Sequence, residues 1–293
     1  MRTILQKCTM VGMTEFDVCK LRDYAADLAQ QAASLISTKR SEITATGDIR
    51  AHSQTKTSAV DPVTEVDTAA EEFVVGSIRK DRPDDGIIGE EGANVPSRSG
   101  VSWIVDPIDG TVNFMYGLGE YAVSLGAMVD GQYVAGAVIN VVKGTLYSAA
   151  VGHGATVTYR DGTSTQLRCR QETDPRLSLI ATGFGYTETR RAGQAKILQE
   201  LLPQVRDIRR MGSAALDLCR VAEGTVDAYY EHGVKVWDVA AGIVIARESG
   251  AQVHVPHSWT SDDRGALVWA ASAELAPAFE RLLASAGAKE VID

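Results

Sequence analysis

The sequence predicts a mixed α/β fold in which layers of helices and sheets alternate. Two observations support this class. Several segments carry apolar residues at three- and four-residue steps, as amphipathic helices do, whereas other segments are short apolar runs bounded by Gly, Pro or Asp, as strands are. The two patterns also alternate along the chain. Its 293 residues allow either one large domain or two fused half-domains.

The first half of the chain predicts two helices over a mostly antiparallel sheet. The first helix covers 16–36, and a polar loop or mobile hairpin follows over 37–58. The second helix starts at Asp61 and Pro62, where Asp61 suits an N-cap and Pro62 a first helical turn. The predicted strands are 87–89, 101–106, 121–129, 133–142, 145–150 and 155–159, with tight turns at 130–131 and 161–162.

The second half alternates strands and helices. The predicted strands are 177–181, 208–210, 228–230, 252–255 and 267–270, and the predicted helices are 192–205, 214–222, 239–248 and 275–286. We therefore expect two sub-domains, about 17–160 and 175–290, that meet near residues 150–175.

Composition excludes several classes of protein. The net charge is −9 and no basic run occurs, which argues against a nucleic-acid partner. No window approaches the roughly 18 apolar residues of a membrane span, and the first ten residues lack the apolar core of a signal peptide. The four cysteines, Cys8, Cys19, Cys169 and Cys219, form no metal or redox spacing. We interpret them as reduced thiols and predict a cytoplasmic protein with no membrane partner.

The most informative chemical pattern is the segment 106–111, which reads Asp-Pro-Ile-Asp-Gly-Thr. Pro107 ends strand pairing and Gly110 permits a tight backbone path. Asp106 and Asp109 can then point at one spot, where their oxygens suit Mg²⁺. A helix that starts after Gly110 would offer its amide groups to a phosphate. The same residues also make an ordinary turn, so the pattern alone leaves both interpretations open.

Other acidic residues stand at the ends of apolar segments. Glu90 can be a solvated turn residue, Asp238 can be a helix N-cap, and Asp61 and Asp67 can favour a helix dipole. A shared metal site would explain all of them, together with the segment 106–111, by a single cause. Such a site would also allow an acidic protein to bind an anionic group such as a phosphate, because divalent ions reverse the local field.

On these segments the chain resembles the inositol monophosphatase family, whose wider superfamily includes fructose-1,6-bisphosphatase and 3′-phosphoadenosine 5′-phosphate phosphatases. The matching segments are 61–67, 89–91, 106–114, 212–215 and 230–238, and the segment 209–219 resembles actinobacterial members. The resemblance implies a single domain over 17–290, an αβαβα sandwich and a homodimer.

The resemblance also implies a set of metal ligands for two to three Mg²⁺ ions. Glu90, Asp106 and the carbonyl oxygen of Ile108 would hold the first ion. Asp106, Asp109 and Asp238 would hold the second, and Glu90 with waters a weaker third.

The remaining roles that the resemblance implies concern water, phosphate and substrate. Thr111, polarised by Asp67, and Glu90 would orient the attacking water, and no phosphoenzyme would form. The residues implied in substrate binding are Asp109, Gly110, Thr111, Ala214, Glu231 and Asp238. Possible accessory residues are Lys56, Asp61 and Ser213, and none of the five histidines is assigned to catalysis.

The expected reaction is Mg²⁺-dependent, Li⁺-sensitive hydrolysis of a small phosphorylated polyol, foremost inositol 1-phosphate. Histidinol phosphate, a nucleotide 3′-phosphate and fructose 1,6-bisphosphate are alternative substrates within the superfamily. A non-catalytic regulatory protein is the alternative from another class, because some bacterial relatives bind transcription or ribosome-maturation machinery.

Overall fold

The computed structural model describes residues 17–47, 49, 53–55, 62–256 and 265–292. The α-helices of this part are α1 (Val18–Thr46), α2 (Glu65–Asp81), α3 (Thr111–Tyr116), α4 (Glu188–Leu201), α5 (Ala214–Glu223), α6 (Val236–Glu248) and α7 (Ala276–Ser285). Its first strands are β1 (Ser53–Thr55), β2 (Pro62–Thr64), β3 (Gly86–Gly89), β4 (Asn94–Val95), β5 (Val101–Asp109), β6 (Ala122–Val129), β7 (Gln132–Asn140), β8 (Thr145–Ala150), β9 (Ala155–Thr158) and β10 (Ser164–Gln166). The later strands are β11 (Leu179–Thr182), β12 (Asp207–Arg209), β13 (Ala228–His232), β14 (Ala251–His254) and β15 (Leu267–Ser272).

Two large sheets organise the described chain. The first has the order β10-β9-β8-β7-β6-β5-β3-β4, and the second has the order β12-β11-β13-β15-β14. In the first sheet β3 and β5 are parallel, so their carboxyl ends lie at the same edge. In the second sheet β11 is parallel to both β12 and β13. The predicted hairpin between β6 and β7 is confirmed: Asp130 and Gly131 both have positive φ, 49° and 78°.

The layers alternate as the fold class predicts. Helices α1 and α2 cover the outer face of the first sheet, where Leu28 and Val74 share a core with Trp103. Helices α5 and α6 lie between the sheets, and α4 and α7 cover the outer face of the second sheet. The resulting order is the expected αβαβα sandwich.

Helix α6 lies unusually close to the first sheet because two strand residues opposite it have no side chain. A Cβ added at Gly126 would lie 2.8 Å from the Cβ of Ala240, and one added at Gly136 would lie 2.6 Å from the Cα of Ala241. Real Cβ atoms essentially never come this close to other heavy atoms. Glycine at both positions therefore sets the distance between α6 and the sheet.

Several boundary predictions are wrong by a few residues, for example α4, which covers Glu188–Leu201 instead of 192–205. Three corrections concern the elements around the first sheet. Helix α1 continues through ten residues beyond 36, into the region predicted as a loop, although polar side chains there give no apolar stripe. Helix α2 starts at Glu65 rather than at Asp61, because Pro62–Thr64 pairs with β1 and the Thr64 hydroxyl caps the helix by accepting from the N–H of Asp67.

The third correction concerns the strand that carries the predicted turn. Strand β5 was expected to end at Asp106, but it continues to Asp109 with a register shift between the two residues. Asp106 pairs with Ser124 and Asp109 with Ala122, so β5 has one extra residue at this point. Pro107 is tolerated because a bulge needs no ladder hydrogen bond from it.

Candidate active site

A cavity of about 460 Å³ opens where elements of both sheets end. Its walls come from the end of β5 with the start of α3, the ends of β11 and β13, and the starts of α5 and α6. The predicted site residues that line it are Glu90, Asp106, Ile108, Asp109, Gly110, Thr111, Ala214, Glu231 and Asp238. The structure thus gathers residues that are up to 148 positions apart, from Glu90 to Asp238, in one place.

Two other predicted residues, Asp67 and Ser213, are not among the described residues that line the cavity. Asp67 is buried on α2, where its carboxylate accepts from the backbone N–H of Thr64 at 3.1 Å. Ser213 is buried next to the cavity. Lys56 and Asp61 lie outside the described residues.

The bulge in β5 explains how Asp106 and Asp109 reach the same cavity. Side chains alternate between the faces of a regular strand, so residues three apart would point to opposite faces. The extra residue between Asp106 and Asp109 restores a common face. Glu90 follows β3, and its N–H donates to the carbonyl of Val105 at 3.2 Å, which places it beside the same strand end.

Burial and mutual repulsion raise the pKa values of Asp106, Asp109 and Asp238. Burial first, and then the charges of Glu90, Asp109 and Asp238, raise the pKa of Asp106. The pKa of Asp238 is raised by burial and then by Asp109 and Glu90. Burial raises the pKa of Asp109 to about 6, although hydrogen bonds from Ser213 and Ala215 oppose the rise. Such a cluster favours a counter-charge.

The donor set fits a hard divalent cation. Carboxylate oxygens and a backbone carbonyl are the ligands that Mg²⁺ accepts. Oδ1 of Asp106 is buried and has no hydrogen-bond partner among the described residues. Within the described ranges, no three His, Cys, Asp or Glu side chains are close enough together to coordinate one metal ion. The acids therefore line one cavity and repel one another. Their side chains would have to move closer together to coordinate an ion.

Two helix starts hold individual acids. Oδ2 of Asp109 accepts from the Ser213 hydroxyl at 2.6 Å and from the N–H of Ala215 at 2.7 Å. The Ser213 oxygen also caps α5 by accepting from the N–H of Leu216 at 3.2 Å. In the first turn of α6, Asp238 accepts from the N–H of Lys235 at 2.6 Å. The N-cap alternative for Asp238 is wrong, because α6 begins at Val236 and its N-cap is Lys235. Asp238 is the third residue of the helix, and the same side chain lines the cavity.

Thr111 begins α3 at the cavity wall. Its hydroxyl donates to the carbonyl oxygen of Ile108 at 3.1 Å, which folds the chain tightly around Gly110. Gly110 has a φ of +96°, a left-handed conformation that glycine adopts without strain. The predicted helix after Gly110 is therefore present.

Glu231 lies at the opposite wall, near the end of β13. It accepts from the hydroxyl of Tyr229 at 3.0 Å, and its carboxylate occupies the space that a side chain at Gly183 would fill. Burial raises the pKa of Glu231 to about 7, while the Tyr229 hydrogen bond and the charge of Arg210 lower it.

Sequence reasoning missed three cationic residues that line the cavity. Arg190 packs over Gly233, Arg210 lies before Gly212, and Lys235 precedes α6. Lone arginines and lysines carry no spacing signal, and only the sequence next to Gly212 could have drawn attention to Arg210.

Known proteins resemble this chain over most of its length. The sequence model described as "Inositol monophosphatase family" matches residues 17–288. The chain belongs to the inositol monophosphatase family. Inositol-1-monophosphatase of Mycobacterium leprae is 49% identical over 249 residues, which cover 81% of this chain and 84% of that protein. Nus factor SuhB of Pasteurella multocida is 42% identical over 198 residues, which cover 67% and 72%.

Solved structures of the family have the same fold. Mycobacterium tuberculosis SuhB aligns with a TM-score of 0.80 at 42% identity and covers 94% of this chain and 100% of its own. SaIMPase-II, solved with inositol monophosphate bound, aligns with a TM-score of 0.69 at 27% identity and covers 92% and 98%.

Two further findings concern the rest of the described chain. No described helix has the length and apolar character needed to cross a bilayer. The described cysteines, Cys19, Cys169 and Cys219, are free thiols.

Proposed function

We propose that this member of the inositol monophosphatase family is a Mg²⁺-dependent phosphomonoesterase whose main substrate is inositol 1-phosphate. The observation that carries the proposal is the convergence of Glu90, Asp106, Asp109 and Asp238 on one cavity with the start of α3. Relatives named inositol-1-monophosphatase, 49% identical to this chain, support phosphatase activity.

The metal ligands in this proposal are the four carboxylates and the carbonyl oxygen of Ile108, for two to three ions. Bound Mg²⁺ would neutralise phosphate charge, lower the pKa of a water and stabilise the leaving oxygen. Ser213 holds Asp109 in place, and the N–H of Lys235 does the same for Asp238.

The chain's own groups would bind phosphate and orient water. The amides of Gly110 and Thr111, at the start of α3, would donate to phosphate oxygens. Glu90 and the hydroxyl of Thr111 would orient the attacking water, and Asp67 would support Thr111 from α2. Water attack needs no nucleophilic side chain, and Ser213 already serves as the cap of α5.

Substrate choice would depend on the far wall of the cavity. Glu231 and Asp238 would accept hydrogen bonds from polyol hydroxyls, with Ala214 beside them. The relative SaIMPase-II binds inositol monophosphate, which supports this assignment.

A panel of phosphate esters tests the proposal. We expect phosphate release from inositol 1-phosphate to need Mg²⁺, to be inhibited by Li⁺, and to exceed release from histidinol phosphate, a nucleotide 3′-phosphate and fructose 1,6-bisphosphate in kcat/KM. A higher kcat/KM for another ester would replace inositol 1-phosphate as the proposed substrate. Failure to hydrolyse any of the esters would contradict the proposed phosphatase activity.

A regulatory function is the second candidate, because relatives 37–42% identical to this chain are named Nus factor SuhB. Loss of hydrolysis across the panel, with a folded protein, would favour it. The homodimer, the cytoplasmic location and the lack of nucleic-acid and membrane partners stay predictions. Light scattering after size-exclusion chromatography tests the first of them.

A further inference from the structure

Glu71 is a buried acid on α2 that the proposed reaction does not use. It is only 5% exposed, and both of its carboxylate oxygens accept from backbone groups of the loop after β3. Oε2 accepts from the N–H of Glu91 at 2.8 Å, and Oε1 accepts from the N–H of Ala93 at 3.0 Å. One side chain thus accepts hydrogen bonds from two N–H groups of the turn that joins β3 to β4.

This loop carries Glu90. It is closed by the N–H of Gly89, which donates to the carbonyl of Ala93 at 2.7 Å, and by the N–H of Glu90, which donates to Val105. The Glu71 carboxylate lies in the space beside Gly89 where a Cβ would be. Glu90 therefore lies between β5, which its N–H contacts at Val105, and the Glu71 carboxylate, which binds the N–H of the next residue, Glu91.

The same face of α2 also carries Asp67, one turn before Glu71. Both acids belong to the buried stripe of the helix, which continues through Val74 and Ile78 into the core of the first sheet. Because the apolar part of this stripe is packed, the two acids have a fixed position relative to β5. Because α2 packs on the first sheet, Glu71 holds the turn after β3 at a fixed position relative to that sheet.

We propose that Glu71 is a positioning residue that fixes Glu90 beside Asp106 and thereby sets metal affinity and the turnover rate. The inference rests on the proposed function, in which Glu90 holds a metal ion and orients water. Substitution of a residue that supports a metal ligand typically lowers metal affinity or activity by about 10- to 100-fold. Glu71 acts here through the backbone on either side of the ligand.

Glu71→Gln is the main test. Glutamine keeps the shape but has one acceptor oxygen, so its NH₂ group would face one of the two loop N–H groups. The matched control is Glu72→Gln, which changes the exposed neighbour on the same helix. A second variant, Gly89→Ala, leaves Glu71 intact but places a methyl group on its carboxylate. Its control is Gly76→Ala, where a Cβ meets nothing within 4 Å.

The readouts are Mg²⁺ binding by calorimetry without substrate, kcat and KM at saturating Mg²⁺, and the melting temperature. For Glu71→Gln and Gly89→Ala we expect the Mg²⁺ dissociation constant to rise about tenfold and kcat to fall about tenfold or more. We expect KM for the ester to change less than about threefold. Both controls should have wild-type Mg²⁺ affinity, kcat and KM. A purely structural role would lower the melting temperature without changing Mg²⁺ affinity in the folded protein.

Wild-type Mg²⁺ affinity and turnover within about twofold in Glu71→Gln would overturn the inference. If that variant does not fold, Gly89→Ala decides by the same limits, and if neither folds, Glu71 is a stability residue and its positioning role is rejected. An inactive wild-type protein would instead reject the proposed function, so the two failures are distinguishable.

Discussion

The hydroxyl of Ser213 donates to Oδ2 of Asp109 at 2.6 Å, and the two residues are 104 positions apart. The N–H of Ala215 donates to the same oxygen. The contact joins the end of β5 to the start of α5, so an acid of the first sheet is oriented by a helix that packs between the sheets.

Asp109→Asn should abolish phosphate release and leave the fold intact. Both hydrogen bonds end on one oxygen of Asp109, so an amide oxygen can accept both, while the charge that a metal ion needs is lost. We expect kcat/KM to fall by at least about a thousandfold, with an unchanged circular dichroism spectrum. Asp130→Asn, at the exposed hairpin turn, is the control and should have wild-type activity. Normal turnover by Asp109→Asn would contradict the metal-site assignment.

The same substitution should have a pH-dependent effect on the stability of the metal-free protein. Burial raises the pKa of Asp109 from 3.8 to about 6, so ionised Asp109 disfavours the folded state above pH 6 by up to about 3 kcal/mol. This penalty falls as the pH drops from 6 towards 3.8, and it disappears only below 3.8, where the acid is protonated in both states. In EDTA, Asp109→Asn should therefore be more stable than wild type at pH 7.5, and the difference should shrink by pH 4.5.

Urea unfolding at the two pH values measures that difference. Saturating Mg²⁺ at pH 7.5 should reverse it, because the ion stabilises only the protein that keeps the ligand. An equal difference at both pH values would show that the charge of Asp109 is not its cause.

Glu231→Gln should weaken polyol recognition specifically. The variant replaces a carboxylate acceptor by an amide, and hydrogen bonds to charged groups contribute about 1.5–3 kcal/mol. We expect KM for inositol 1-phosphate to rise about tenfold or more, while KM for phenyl phosphate, which has no hydroxyls, changes little. Glu200→Gln, on the exposed side of α4, is the control. Equal effects on both substrates would assign Glu231 to phosphate or metal binding instead.

Gly110→Ala should destabilise the protein more than Gly131→Ala does. Both glycines have positive φ, 96° and 78°, so both variants are strained by roughly 1 kcal/mol. A Cβ at Gly110 would also lie 2.9 Å from the carbonyl oxygen of Glu120 and 3.0 Å from that of Gly212, whereas one at Gly131 meets nothing within 4 Å. Chemical unfolding measures the difference between the two variants in the loss of unfolding free energy. Equal losses would show that the backbone around Gly110 can shift to accommodate the added methyl group.

The sequence predicted the layers and the acidic part of the cavity wall, because both depend on local patterns. Alternating apolar runs placed the strands, and the acids at strand ends, taken with the resemblance, pointed to Glu90, Asp106, Asp109 and Asp238. The β5 bulge was not predictable, because Asp-Pro at the end of an apolar run reads as a strand terminus. Its extra residue depends on pairing with β6, which is a tertiary property.

Other misses have the same origin. Thr64 caps α2 because Pro62–Thr64 pairs with β1, and local sequence alone favoured a start at Asp61. Arg210 and Glu71 have no motif of their own. Their positions follow from the approach of separate elements, at the cavity for Arg210 and at the β3 loop for Glu71.

Gly126 and Gly136 let α6 rest directly on the first sheet, and α6 carries Asp238 in its first turn. The spacing between acids from the sheet and the acid from the helix is therefore governed by two residues that take no part in chemistry. A larger residue at either position would push α6 away from the first sheet and move Asp238 away from the acids of β5. Substitutions should accordingly be poorly tolerated at these two interior positions, although neither carries a reactive group.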